Sequence, residues 1–121
     1  MLGNESGGVF AVTDTATTTT AVFSDSIISG GNAGAATFTT IAGAVAKVFV
    51  TRCTIENVHS ALASEIVGGG SALVSVSNSA VTNNNYGWYQ SGAGSVIESA
   101  GNNHIRGNTT SAGILTPVGL Q

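Results

Sequence analysis

Three features of this chain predict an all-β solenoid of about four to five coils, with three short strands per coil. Apolar residues fall into columns that recur at a nearly constant step along the sequence. The pieces carrying them run to roughly three to five residues and alternate in the manner of strands, too short for helices. Gly, Asn or Ser stands between the pieces, and these are residues that tight turns require. A repeat of this length, built from short strands, buries its apolar face by stacking coil on coil.

Composition agrees with that class. Of the 121 residues 42% are hydrophobic and only 7% charged, with 17 Gly and 1 Pro. Disordered chains combine low hydrophobicity with high net charge and abundant Pro, so this composition points to a β-rich fold with many turns. The length fits one domain. A net charge of −3, with Lys47, Arg52 and Arg106 as the cations, leaves nothing to neutralise a phosphate backbone and excludes nucleic acid as a partner. No apolar run approaches the roughly 20 residues that cross a bilayer as a helix. The opening residues Met1 to Glu5 lack the basic and apolar regions of a secretion signal, so localisation stays open. Cys53 is the one cysteine, which excludes an internal disulfide.

The chain opens with the apolar piece Gly8 to Val12 and a Thr-rich run to Thr20; β-branched Thr suits a strand. Residues 1–20 are read as an N-terminal strand, a cap or a truncated coil. Coils occupy residues 21–108. Ile28, Ile55, Val81 and Ile105 form one apolar column, at steps of 27, 26 and 24. Phe38, Leu62, Trp88 and Ile114 are set as a second, at steps of 24, 26 and 26. Phe23, Val50 and Val76 make a third, which fades at Ala100. The expected inward set is Ile28, Phe38, Val50, Cys53, Ile55, Leu62, Val76, Val81, Trp88 and Ile105. One sheet should stack 46–50, 72–76 and 95–97, a second 53–55 and 79–81, and a third 61–63 and 87–89. The loops Gly30 to Gly34 and Val67 to Gly70 are expected to absorb differences in coil length. Residues 109–121 supply a final strand and cap.

The stretch Ser75 to Asn85, SVSNSAVTNNN, followed by Gly87-Trp88, a Gly-rich turn and the closing GNNHIRGN of Gly101 to Asn108, resembles the C-terminal coils of bacterial right-handed parallel β-helix proteins of the pectate-lyase-like superfamily. The resemblance spans about residues 21–121. It implies right-handed winding and allows a secreted or cell-surface location. It implies no single activity, because this fold carries lyases, hydrolases, adhesins and phage spikes. Such proteins have more coils and an N-terminal cap. A solenoid beginning in mid-coil leaves unpaired backbone and an apolar core end at its N-terminal side, which predicts a homo-oligomer unless residues 1–20 fold across that end.

Chemistry-bearing residues are few. Asn57 and Asn83 share a column after the strands ending at Ile55 and Val81, and are read as a structural ladder of turn asparagines. Cys53 aligns with Ser26 and Ser79 and is expected inside. His59 lies beyond a turn from it, which gives no activated thiol. The two histidines, His59 and His104, fall in different columns, and no metal-ligand spacing accompanies either. Asp14, Asp25, Glu56, Glu65 and Glu98 are scattered, whereas polysaccharide lyases and hydrolases of this fold use clustered carboxylates. Asp25 and Arg52 share an adjacent-coil column and should pair on a solvated face. No catalytic residue, cofactor or metal site is therefore assigned. Tyr86, Tyr89 and Gln90 are the candidates for a binding surface, since tyrosine faces cover apolar sugar surfaces while amides bond hydroxyls. The expected function is a non-catalytic structural or interaction module that self-associates through an uncovered end or face. The alternative is a carbohydrate-binding or carbohydrate-active remnant, with a polysaccharide as partner.

Overall fold

The structure is a computed structural model describing residues 8–13 and 15–119. Strand β1 (Val9–Thr13) leads into a first coil of β2 (Thr18–Ser24), β3 (Ile27–Ser29) and β4 (Ala33–Thr39). The second coil is β5 (Val45–Thr51), β6 (Thr54–Glu56) and β7 (Ser60–Ile66). The third is β8 (Ser71–Ser77), β9 (Ala80–Thr82) and β10 (Tyr86–Ser91), and the fourth β11 (Ser95–Ala100), β12 (His104–Arg106) and β13 (Thr110–Ala112). Strand β14 (Leu115–Val118) closes the chain's described part. Each strand pairs in parallel with its counterpart one coil away. The result is a β-solenoid of about four coils and three sheets, ordered β1-β4-β7-β10-β13, β2-β5-β8-β11-β14 and β3-β6-β9-β12. No helix among the described residues is long and apolar enough to cross a membrane.

The core runs up the middle. In the β3 sheet Ile28, Ile55, Val81 and Ile105 stand in register; the first three are fully buried and Ile105 packs partly buried against them. In the β2 sheet Phe23, Val50 and Val76 align, with Ala21, Val48, Val74 and Ile97 two residues earlier. Val76 continues to Ser99 rather than Ala100. In the β1 sheet the inward column is Ala35, Leu62 and Trp88. Phe38, expected in that column, pairs with Glu65 and lies on the outer face. Ile114, its other expected member, sits in a turn and is 71% exposed. The cause is that register is fixed by backbone pairing along the whole strand, not by the largest nearby apolar side chain. Counting seven residues from Ile28, Ile55 and Val81 lands on Ala35, Leu62 and Trp88.

Three turns close each coil, and each has its own chemistry. The turn after β2, β5 and β8 has two residues, the first left-handed: Asp25, Arg52 and Asn78, with φ of 54°, 52° and 49°. The second residue then donates back to the carbonyl two positions earlier: Ser26 Oγ to Ser24 at 2.8 Å, Cys53 Sγ to Thr51 at 3.2 Å, and Ser79 Oγ to Ser77 at 2.8 Å. One hydrogen bond thus recurs in three successive coils, and the thiol stands where a hydroxyl stands elsewhere. After β11 the turn is one residue longer. There Asn103 reaches further, its Nδ2 donating to the Ala100 carbonyl and to Ser99 Oγ, both at 2.9 Å, while its Oδ1 accepts from the Ser79 N–H.

The turn after β3, β6, β9 and β12 keeps three residues and opens on a left-handed one: Gly30, Asn57, Asn83 and Gly107. Asn57 and Asn83 therefore supply backbone geometry that most L-residues disfavour, and the side-chain hydrogen bonds between coils are made from the next position instead. Asn84, 2% exposed, accepts from the Val58 N–H at 3.0 Å and donates to the Ile55 carbonyl at 3.1 Å and to Asn108 Oδ1 at 3.0 Å. Asn108 in turn donates to the Val81 carbonyl at 3.1 Å. The reason is positional: the first turn residue points to solvent, whereas the second points under the turn, where core-facing backbone groups need partners.

The third turn sets coil length. It spans 40–44, 67–70, 92–94 and 113–114, losing one residue at each step. Of the loop 30–34, expected to share that role, residues 33 and 34 open β4, and the remaining turn 30–32 has the same length as its counterparts. At the N-terminal end the alternative in which part of residues 1–20 lies across the core can be followed for residues 8–13. Ile28 in the first coil is fully buried, and a Cβ on Gly8 would collide with its side chain. The segment 8–13 thus continues the β1 sheet and covers that end of the core. At the other end β12, β13 and β14 contain no buried residue. Residues 1–7, part of the expected cap, lie outside the described residues.

Candidate functional site

The outer face of the β1 sheet carries a trough, and register explains its shape. Phe10, Ala36, Ala63 and Tyr89 line up across β1, β4, β7 and β10. Large side chains stand on the outer strands and alanines between them. Ala33, Ser60 and Tyr86 form the row at the start of these strands, and Val12, Phe38 and Glu65 the row at their end. Ala33, Ala36 and Ala63 are buried although they face outward, with Tyr89 packed over them. The space enclosed is about 520 Å³, within the range of small-molecule sites.

Its walls are aromatic and its ends polar. Tyr86 lies between His59, with ring centroids 5.5 Å apart, and Tyr89, 5.6 Å away in an edge-on arrangement. Edge-on packing fixes the Tyr89 ring against a neighbour. Asn32 and His59, both from the three-residue turns, line the start of the trough. His59 Nδ1 lies 3.2 Å from Ser60 Oγ. Glu65 lines the far end and is the one carboxylate among the described residues of the lining, which include no Lys or Arg. An alanine floor with aromatic walls and polar ends can hold the flat apolar face of a ligand and bond its hydroxyls.

The structure brings Tyr86 and Tyr89 together here, and separates Gln90 from them. Gln90 pairs with Ser64 on the opposite side of the sheet. Its Nε2 donates to the Ser95 carbonyl and its Oε1 accepts from the Ile114 N–H at 2.7 Å. Its amide thus clamps the turn before β14 and is not free for a ligand. Strand alternation alone would have placed Gln90 inward beside Trp88, whose Nε1 donates to the Gly113 carbonyl at 3.2 Å. The sequence reading missed Phe10, Phe38, the alanine floor and the trough position of His59 and Glu65. The available signal was the seven-residue offset from the Ile28 column, which puts Ala36 and Ala63 in one outward row.

The remaining candidates lie elsewhere. Arg52 holds Asp25 with Nε–Oδ1 at 2.7 Å and Nη2–Oδ2 at 2.9 Å on an exposed turn. Hydrogen bonds from that guanidinium, and secondarily its charge, keep the Asp25 carboxyl below its usual range. Glu56, Thr82 and Arg106 align on the outer face of the β3 sheet. Cys53 is buried. Among the described residues no group of three or more His, Cys, Asp or Glu side chains converges as a metal site would require. Comparison with known proteins leaves the assignment to this geometry: no family model, no curated protein and no solved structure matches the chain.

Proposed function

We propose that the chain is a non-catalytic binding module that holds a saccharide chain in the trough between Phe10 and Tyr89. One observation carries this reading: the row Phe10-Ala36-Ala63-Tyr89, which puts rigid aromatic walls on either side of a flat floor. Sugar rings present apolar C–H faces to such walls, and Asn32, Ser60, His59 and Glu65 supply partners for hydroxyls. Among the described residues the lining carries one carboxylate, whereas glycoside hydrolysis in most families takes two flanking the bond, which supports binding without turnover. Right-handed winding, favoured for parallel crossovers, and kinship with bacterial pectate-lyase-like proteins belong to the same proposal and rest on the motif Ser75 to Asn108. A glycan screen tests it. Saturable binding that Tyr89→Ala abolishes is the expected result; binding unchanged by that substitution refutes it.

A second reading, self-association, draws on different residues. Val22 and Phe49 stand in register on the outer face of the β2 sheet and are 72% and 37% exposed. Burying such a pair against a second copy would remove apolar surface from water. The solution mass across a wide concentration range decides it: a constant monomer mass excludes this reading.

A further inference from the structure

We propose that the trough selects an amine-bearing saccharide over neutral and acidic ones, an inference that rests on the saccharide reading above. The argument is one of charge complementarity. Glu65 lies two residues beyond Ala63, the register partner of Tyr89, and on the same outward side. Strand rise and spacing then put its backbone about 8 Å diagonally from that of Tyr89, close enough for both side chains to meet one ligand group. Phe38 stands beside Glu65 in register. An ammonium lodged there meets a carboxylate on one side and aromatic faces on the others, and aromatic faces attract cations through their negative π-surface. Among the described residues no Lys or Arg lines the trough, and the chain as a whole carries a net charge of −3. A uronate would find no Lys or Arg there and would face Glu65. The acidic polysaccharides are therefore disfavoured.

A matched pair of oligomers isolates the charge. A glucosamine hexamer and cellohexaose share their linkage and differ at C2, amine against hydroxyl. Binding of each to the full chain is measured by calorimetry in low-salt buffer at a pH that keeps the amines protonated, with a galacturonate hexamer as the acidic probe. The glucosamine hexamer should bind roughly tenfold tighter than cellohexaose, the scale of one cation–π contact combined with one exposed ion pair. Glu65→Gln should cut that preference to roughly threefold, the share left to the cation–π contact, and Tyr89→Ala should weaken both neutral and amine ligands. Equal affinity of the two hexamers, a preference that Glu65→Gln leaves undiminished, or tighter binding of the galacturonate overturns the charge assignment and leaves the saccharide reading standing. Absence of binding by all three overturns both.

Discussion

The three consecutive asparagines Asn83, Asn84 and Asn85 offer a sharp test of how the solenoid is held, because identical residues occupy three different environments. Asn84 is buried, while Asn83 and Asn85 are exposed. Replacing Asn84 with Ala leaves the Val58 N–H and the Ile55 carbonyl without their side-chain partner. Each buried orphan costs on the order of 1–3 kcal/mol. Partial entry of water into the vacated space offsets some of this, which gives a total of about 3 kcal/mol. Asn83 has φ of 58°, so Asn83→Ala loses left-handed tolerance and costs about 1 kcal/mol. Asn83→Gly should be nearly neutral, because Gly30 and Gly107 occupy the same turn position in other coils. Asn85→Ala should stay within about 0.5 kcal/mol of the parent. Urea unfolding of the four variants, with unchanged slopes, provides the measurement. An Asn83→Ala variant as destabilised as Asn84→Ala would refute the assignment of the inter-coil hydrogen bonds to position 84.

Further expectations follow from the turns. Cys53→Ser should lie within about 1 kcal/mol of the parent in urea unfolding, since Ser26 and Ser79 make the same bond at the same position. Arg52→Asn should raise the thermal midpoint, more so at high salt; Arg52 is left-handed, a conformation asparagine tolerates better, and the ion pair it gives up is exposed and screened. The Asp25 carboxyl is held low in the folded chain by Arg52. Its contribution to stability is therefore present above the unfolded carboxyl's ordinary value and is lost as pH falls through the lower folded value. Asp25→Asn should flatten the acid limb of the stability profile slightly, and 1 M salt should shrink the difference. Gly34→Ala should destabilise the chain in thermal unfolding, since the added Cβ meets Ile55 and the Ala61 carbonyl.

Much of the architecture is legible in the sequence because stacking repeats one local environment at every coil. The Ile28, Ile55, Val81 and Ile105 column is readable for that reason: an inward strand position demands the same kind of side chain each time. The Ser26, Cys53 and Ser79 column is readable too, since one hydrogen bond recurs there. Where the reading went astray, two neighbouring residues of similar chemistry competed for one position. Phe38 outweighed Ala35 on hydrophobicity, and Asn83 stood next to Asn84.

By itself, then, the sequence determined an all-β solenoid with three strands per coil and its main inward columns, because period and alternation are properties of the chain alone. Only the tertiary structure decided what lies between coils. The trough exists because β1, β4, β7 and β10 are brought side by side in a register that sets Phe10 and Tyr89, 79 residues apart, in one row. Local pattern carries no record of such a juxtaposition, since it depends on the number of residues each intervening turn consumes.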